Sequence, residues 1–340
     1  MRYKCLIFAA TLSLSLFSIA SAAPDASLAR LQQQLEFVAH ASDGVVGMSA
    51  VHLESRRSVS VRGTEGFPMA SAFKIPIAIQ IMKLVDEGKL NLDKMASVTQ
   101  ADLHPGSGEL TELFFHPGLS LSLSNLMELA LVISDNSAAD ILLREAGGPA
   151  AVTARMKALD FNGIRVDRST ALLISDWIGA KDLPPEDQWN KGLWQRLYDS
   201  VPEREHMRAR RIETSDPRDT ATPEDMTRLL SRLWAKDLLT PQSSETLLDM
   251  MARCQTGRSR IKGLLPAGTE VAHKTGTLGG VANDIGVITL PNGAGHVAIS
   301  IFTKGSNAPE EQADRAIAEI ARTVYDYFVL VPDGQVTNGK

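Results

Sequence analysis

The sequence predicts an α+β fold: a sandwich of an antiparallel sheet with flanking helices, built from both ends of the chain, with an all-α domain inserted between them. Three observations carry this. β-rich runs gather near the two ends, at residues 45–53 and 58–61 and again at 270–276, 284–290 and 296–303. Residues from about 92 to 254 show helical spacing punctuated by Pro and Gly. Amphipathic helical patterns flank both groups of strands, with Leu28, Leu31, Leu35 and Val38 on one face near the start and Ala313, Ile317, Ile320, Val324 and Phe328 near the end. The expected division is a signal peptide at 1–22, a discontinuous α/β domain at 23–70 and 257–340, and a mainly helical domain at 71–256 that includes an extended loop at about 166–220.

Taken in order, residues 27–39 read as a helix and the next two runs as a hairpin. The turn-like run 63–69 precedes Ser71 and Lys74, which open an apolar segment, 75–82, that reads as a buried helix. Residues 121–134 read as an apolar helix opened by Ser120 or Ser122, 136–145 as a second ending at Gly147-Gly148-Pro149, and 149–159 as a third. Thr222-Pro223-Glu224-Asp225 combines a cap residue, Pro at the first helical position and acids in the first turn; Thr240-Pro241 repeats the device. Pro291-Asn292-Gly293 is a turn between the last two strands.

The chain has 340 residues, 44% of them hydrophobic and 22% charged, enough for a full core in one large or two intimate domains. The formal charge of −5 and the scattered basic residues argue against nucleic acid or an anionic membrane surface as partner. Residues 1–22 have the layout of a secretion signal: Arg2 and Lys4, an apolar stretch at 6–19, and Ala20-Ser21-Ala22 as cleavage site. The apolar stretch is short for a membrane span, so no stable anchor is expected. Cleavage takes the 35 basic residues to 33 against 40 acidic ones, a charge of −7, and leaves Cys254 as the one cysteine. A single cysteine makes no internal disulfide, and Cys254 reads as a small buried residue. The histidines show no metal-binding spacing, so neither a metal nor another cofactor is expected.

Three short motifs carry chemistry. Ser71 and Lys74, three residues apart at a helix start, lie on one face about a turn apart. An amine near a hydroxyl is what a serine nucleophile needs, and the free N–H groups of a helix start favour developing negative charge. Ser134-Asp135-Asn136 falls between two helices and Lys274-Thr275-Gly276 in a strand. Taken singly, each motif has an ordinary explanation as a helix cap or a strand end. Together, in this order and in these elements, they form the signature of class A β-lactamases and penicillin-binding proteins.

The chain therefore resembles the class A β-lactamase family of penicillin-recognising serine hydrolases over nearly the whole mature sequence. Thr256-Gly257, Arg260, 265–268, Lys274-Thr275-Gly276 and Asn283-Asp284-Ile285 follow one another much as the family has them. The resemblance implies a β-lactamase/transpeptidase-like sandwich and gives Ser71 as nucleophile and Lys74 as its base, with a pKa depressed by burial near Lys274. Ser134 would relay a proton to the leaving nitrogen. Asn136 would bind a substrate amide, and Lys274 and Thr275 a substrate carboxylate. The N–H groups of Ser71 and Thr277 would form the oxyanion hole. Arg260 stands where some members place a carboxylate-binding arginine; a surface arginine on a loop is the other reading.

The chain also departs from the family. Alignment on Asp167-Arg168 puts Thr170 where the family keeps the glutamate that activates the deacylating water, and Ile174 where asparagine is usual. Threonine is no general base of comparable strength. Arg168 and Asp219 are candidates for the ion pair at the neck of this loop but lie 51 residues apart. The long segment between them is expected to carry structure of its own, with a helix at 192–200, either as a lid over the site or as a satellite on the helical domain. Asp176, Asp182, Glu186, Asp187, Glu203, Glu205 and Glu213 lie within it, and any could replace the missing glutamate. The run Pro105-Gly106-Ser107-Gly108 looks more like the broader serine hydrolases of this fold. His273 reads as a solvent-facing strand residue, or else as a pH-sensitive neighbour of Lys274.

The expected function is that of a secreted, monomeric serine hydrolase, periplasmic or extracellular, that opens β-lactam amides through an acyl-enzyme on Ser71. The alternatives are a D-alanyl-D-alanine carboxypeptidase of the same fold, acting on peptidoglycan-like substrates, and a non-hydrolytic sensor that stays acylated.

Overall fold

The computed structural model describes residues 26–331; the expected signal peptide lies outside them. α1 (Ala26–Ala41) leads into β1 (Val45–His52), β2 (Ser58–Val61) and the short β3 (Phe67–Pro68), and a 3-10 turn (Ala70–Phe73) then runs directly into α2 (Lys74–Asp86). β4 (Met95–Ser97), α3 (Leu110–Leu113), β5 (Ser120–Ser122), α4 (Leu123–Val132), α5 (Asn136–Glu145) and α6 (Pro149–Ala158) follow. The insertion holds α7 (Thr170–Ile178), α8 (Lys191–Ser200) and α9 (Glu203–Ser215). The chain closes with β6 (Thr220–Ala221), α10 (Pro223–Trp234), α11 (Pro241–Ala252), β7 (Val271–Leu278), β8 (Val281–Thr289), β9 (His296–Lys304) and α12 (Glu310–Leu330).

The main sheet has the order β2-β1-β9-β8-β7, and every neighbouring pair is antiparallel. Strands from both ends of the chain thus share one sheet, which is the predicted α+β layout. Alternation along β9 shows the layering: Val297, Ile299 and Ile301 pack with Ile317, Ile320, Val324 and Phe328 of α12 and with Leu31 and Leu35 of α1. Ala298 and Phe302 face the other way, into the core shared with α2, α4, α5 and α11. Each such buried aliphatic side chain contributes roughly 1.5–3 kcal/mol. α2 is buried almost all round, from Lys74 to Met82, which explains why its sequence is apolar without a clear stripe.

Caps act where the sequence placed them. Thr222 accepts from the Asp225 N–H and Thr240 from the Ser243 N–H. The expected helix at 121–134 runs from Leu123 to Val132 and is capped by Ser122, one of the two expected openers, whose hydroxyl accepts the Asn125 N–H; its start is corrected by two residues because Ser120–Ser122 pairs with Met95–Ser97 as a strand. Ser71 likewise lies in the 3-10 turn just before the α-helix, not inside it.

The insertion is folded. Arg168 and Asp219 close its neck with Nε to Oδ2 at 2.6 Å, and Arg168 also binds Asp176 at 2.7 Å and Glu213 at 2.9 Å. Ala171, Trp189 and Trp194 form a small core of their own, and Arg210 stacks on Trp177 at 4.5 Å from the ring centroid.

Candidate active site

The three motifs meet where the 3-10 turn before α2, the α4–α5 loop and the edge strand β7 come together. Ser71 is half-buried on that turn, next to Ala70, whose φ is +43°. Ser134, in the α4–α5 loop, has φ +64°. Both are left-handed conformations that non-glycine residues adopt at a cost, and here they flank the reacting groups. Gly276 is required by close approach: a Cβ there would sit 2.4 Å from the Met69 carbonyl oxygen and 3.2 Å from the Ser71 nitrogen. Only a bare backbone lets β7 lie against the amide of Ser71.

Lys74 is fully buried. Its Nζ donates to the Ser134 carbonyl at 2.6 Å, to Ser134 Oγ at 3.2 Å and to Asn136 Oδ1 at 2.9 Å; none of these bonds goes to Ser71. Lys274 Nζ donates to the same Ser134 Oγ at 2.9 Å and to the Thr275 carbonyl at 2.8 Å. One hydroxyl thus links two buried amines. Burial first, and then the charge of Lys274, hold the Lys74 pKa well below that of an ordinary lysine. Burial also lowers Lys274, and after partial compensation by Cys254 and Asp284 it stands at about 8. A neutral Lys74 can accept the proton that Ser134 carries while Lys274 donates to the same oxygen, which is a ready-made proton relay.

The middle residue of the Ser134 motif has another task. Asp135 accepts N–H bonds from Glu109, Leu110 and Ala138, and so ties the α3 loop to the start of α5. Ser107, from the Pro-Gly-Ser-Gly run, donates to the Ser134 carbonyl at 2.6 Å. Sequence reasoning singled out the run but not this serine; the paired glycines were the signal, since a Cβ on Gly108 would overlap the Asp135 carboxylate at 2.2 Å.

Thr275 Oγ1 lies 2.6 Å from Thr256 Oγ1, and Thr277 Oγ1 accepts from Arg260 Nη2 at 2.8 Å. Arg260 is no surface residue. It is 2% exposed, lines the cavity, and has a partner for each N–H: Asp314, the Gly276 and Asn283 carbonyls, Thr277 and Glu310. It braces β7 from behind, so a carboxylate would have to compete for its fork. His273 is a further correction. It is fully buried, with Nδ1 2.9 Å from Asp284 Oδ1 on the neighbouring strand; β7 is packed against α11 and the serine turn as well as β8, so the strand is not open as the sequence suggested.

Ser71, Ser134, Asn136, Thr275 and Thr277 line one cavity of about 1010 Å³, with Lys74 and Lys274 buried behind the wall. The insertion forms the opposite side through Ile174, Trp177, Trp194 and Tyr198. The long segment is therefore both a packed satellite and part of the wall. None of the seven carboxylates named within it lines the cavity. Asp176 and Glu213 bind Arg168 instead. Thr170 does line it, with its Oγ1 unpartnered and its N–H held by Asp140 at 2.7 Å, and Asp140 is paired with His104 at 3.0 Å. Among the described residues there is no cluster of three or more His, Cys, Asp or Glu able to hold a metal ion.

A serine on a strained turn, two buried lysines sharing a hydroxyl, and an edge strand against the serine amide make up the arrangement of a serine hydrolase of the penicillin-recognising type. The comparisons agree. A model of the "Beta-lactamase enzyme family" matches residues 30–328, so the chain belongs to that family. It is 29% identical to β-lactamase VEB-1 of Pseudomonas aeruginosa, over 88% of this chain and 90% of that one. It is 28% identical to the carbapenem-hydrolyzing β-lactamase KPC of Klebsiella oxytoca, over 87% and 86%. Among solved structures, an ancestral class A β-lactamase reconstructed for Gram-negative bacteria matches at 31% identity with a TM-score of 0.71, covering 87% of this chain and 99% of that one. The chain is a serine β-lactamase-type hydrolase of class A.

Proposed function

We propose that the protein opens β-lactam amides through an acyl-enzyme on Ser71, after secretion to the periplasm or beyond. The observation that carries the mechanism is the single hydroxyl of Ser134 between Lys74 and Lys274. Ser71 Oγ attacks the lactam carbonyl carbon and gives its proton to neutral Lys74, while the Ser71 and Thr277 N–H groups hold the oxyanion. The C–N bond then breaks, and Lys74 returns the proton through Ser134 to the ring nitrogen. Lys274 and Thr275 hold the substrate carboxylate and Asn136 the side-chain amide. Arg260 keeps Thr277 and the strand in place. Water releases the acyl group and restores the Ser71 hydroxyl. With Thr170 at the cavity wall and no insertion carboxylate there, this second step is the slower one. Residues 1–22 support secretion.

Turnover of a chromogenic penicillin tests the reading. A burst of one equivalent followed by a slow steady rate is expected, with both phases lost in Ser134→Ala. Cleavage of D-alanyl-D-alanine peptides without penicillin turnover would favour the peptidase instead. A mature protein recovered from the periplasm that does not begin at Ala23 would overturn the assigned cleavage.

A further inference from the structure

Behind the Thr275 side of the cavity runs a line of polar groups that acyl transfer does not use. Cys254 follows α11, is a free thiol and is 7% exposed. Its Sγ lies 3.2 Å from Thr256 Oγ1, which lies 2.6 Å from Thr275 Oγ1. On the other side of the thiol stands the His273 ring. Its Nδ1 faces Asp284 at 2.9 Å; its Nε2 is buried without a partner of normal hydrogen-bond geometry, and Cys254 is the group to which it couples. The line therefore reads Asp284, His273, Cys254, Thr256, Thr275.

Each hydroxyl in the line has one proton to give. We propose that Cys254 is a positioning residue for Thr275: through Thr256 it decides whether the Thr275 hydroxyl donates to the substrate carboxylate or back to the protein. This rests on the reading of Thr275 as a carboxylate-binding group. With Cys254 as a thiol, S–H donates to Thr256, Thr256 donates to Thr275, and Thr275 donates into the cavity. With Cys254 as a thiolate, Thr256 must donate to sulfur. Thr275 then donates to Thr256, and a carboxylate meets a lone pair in place of a proton. The thiolate also adds a negative charge behind the same subsite.

The groups around the thiol place this change near neutral pH. Burial alone would raise the thiol, but the adjacent protonated His273, the charge of Lys274 and the Thr256 hydroxyl bring it down to about 6. Burial lowers His273, and Asp284 together with Cys254 more than offsets that, so the imidazole stands at about 9 and stays protonated while the thiol titrates. Lys274, at about 8, also faces the line from β7. From the helical side, Arg253 is held by Glu128 and Asp249.

The test is acylation of Ser71 by a penicillin and by its methyl ester, which lacks the carboxylate, across this pH range. For the penicillin, the half-saturating concentration is expected to rise roughly tenfold between about pH 5 and 7, the loss of one hydrogen bond to a charged group. The ester should show no such step. Cys254→Ser and Cys254→Val, which cannot ionise, should lose the thiol's step and show only the separate loss of the Lys274 charge, which comes below about pH 8 because the thiolate that raises that amine is gone. Thiolate absorbance of the mature wild-type protein, whose one cysteine is Cys254, should show the same step without substrate. Variants that retain the step, an ester that shares it, or a thiol that does not titrate below pH 8 would each overturn the proposal. No acylation by either substrate alongside a normal thiolate step would overturn the assigned reaction, and this role with it.

Discussion

Lys74 and Lys274 are both buried, and their differing pKa values divide the labour between them. Lys74, held well below an ordinary lysine by burial and then by the charge of Lys274, is the amine better suited to accept a proton. Lys274, at about 8, keeps its charge there and can hold a carboxylate. The signs follow. Acylation needs Lys74 unprotonated, so its rate climbs with pH through a range well below that of an ordinary lysine. Carboxylate binding needs Lys274 protonated, so kcat/KM falls as pH rises through about 8. Lys274→Ala removes a charged donor from both the substrate and Ser134, and a loss of kcat/KM of roughly 10–100-fold is expected for a carboxylate-bearing penicillin. A pH–rate profile on wild type and variant checks both statements; an unchanged alkaline limb in the variant would contradict them. At this scale the meeting of Ser71, Lys74, Ser134 and Lys274 at one cavity was legible, because they sit in short local motifs. His273 and Arg260 were not. Arg260 is held by Asp314 and Glu310 of α12 and His273 by Asp284 of β8, and nothing local to either residue signals those partners.

The element that sets this chain apart is the insertion carrying α7 to α9. Its neck is an arginine, Arg168, 4% exposed, shared by Asp219, Glu213, Asp176 and Asp216. The Arg168–Asp219 pair was legible from flanking sequence, and a helix in the 192–200 stretch from its composition. The role of Glu213 was not, since it depends on how α9 folds back over α7. Burial raises the pKa of both Glu213 and Asp219 despite the guanidinium, so each is held charged only with Arg168 in place. Removing the arginine leaves buried carboxylates uncompensated. Arg168→Ala should therefore cost about 3–5 kcal/mol in a denaturant titration, and loosen the wall formed by Trp177 and Trp194. A loss below about 1 kcal/mol would show the neck to be dispensable.

At the scale of the whole molecule, one sheet built from both chain ends presents β7 to the serine turn, and a helical core holds the two lysines dry behind it. The sheet and most helices are legible in the hydrophobic periodicity of the chain. The strand at Ser120–Ser122 is not, because its pairing with Met95–Ser97 outweighs a helical pattern that continues through it. Periodicity is also silent on where each carboxylate of the insertion goes, because ion pairs across 45 or 51 residues leave no local trace. The central claim is that all this serves to acylate Ser71. Intact mass spectrometry with peptide mapping, at short times after mixing with a penicillin, tests it most directly. A mass gain equal to one whole penicillin is expected on the peptide that carries Ser71, and none in Ser71→Ala. An adduct that persists in Ser71→Ala, or penicillin consumed at the same rate by that variant, would contradict it.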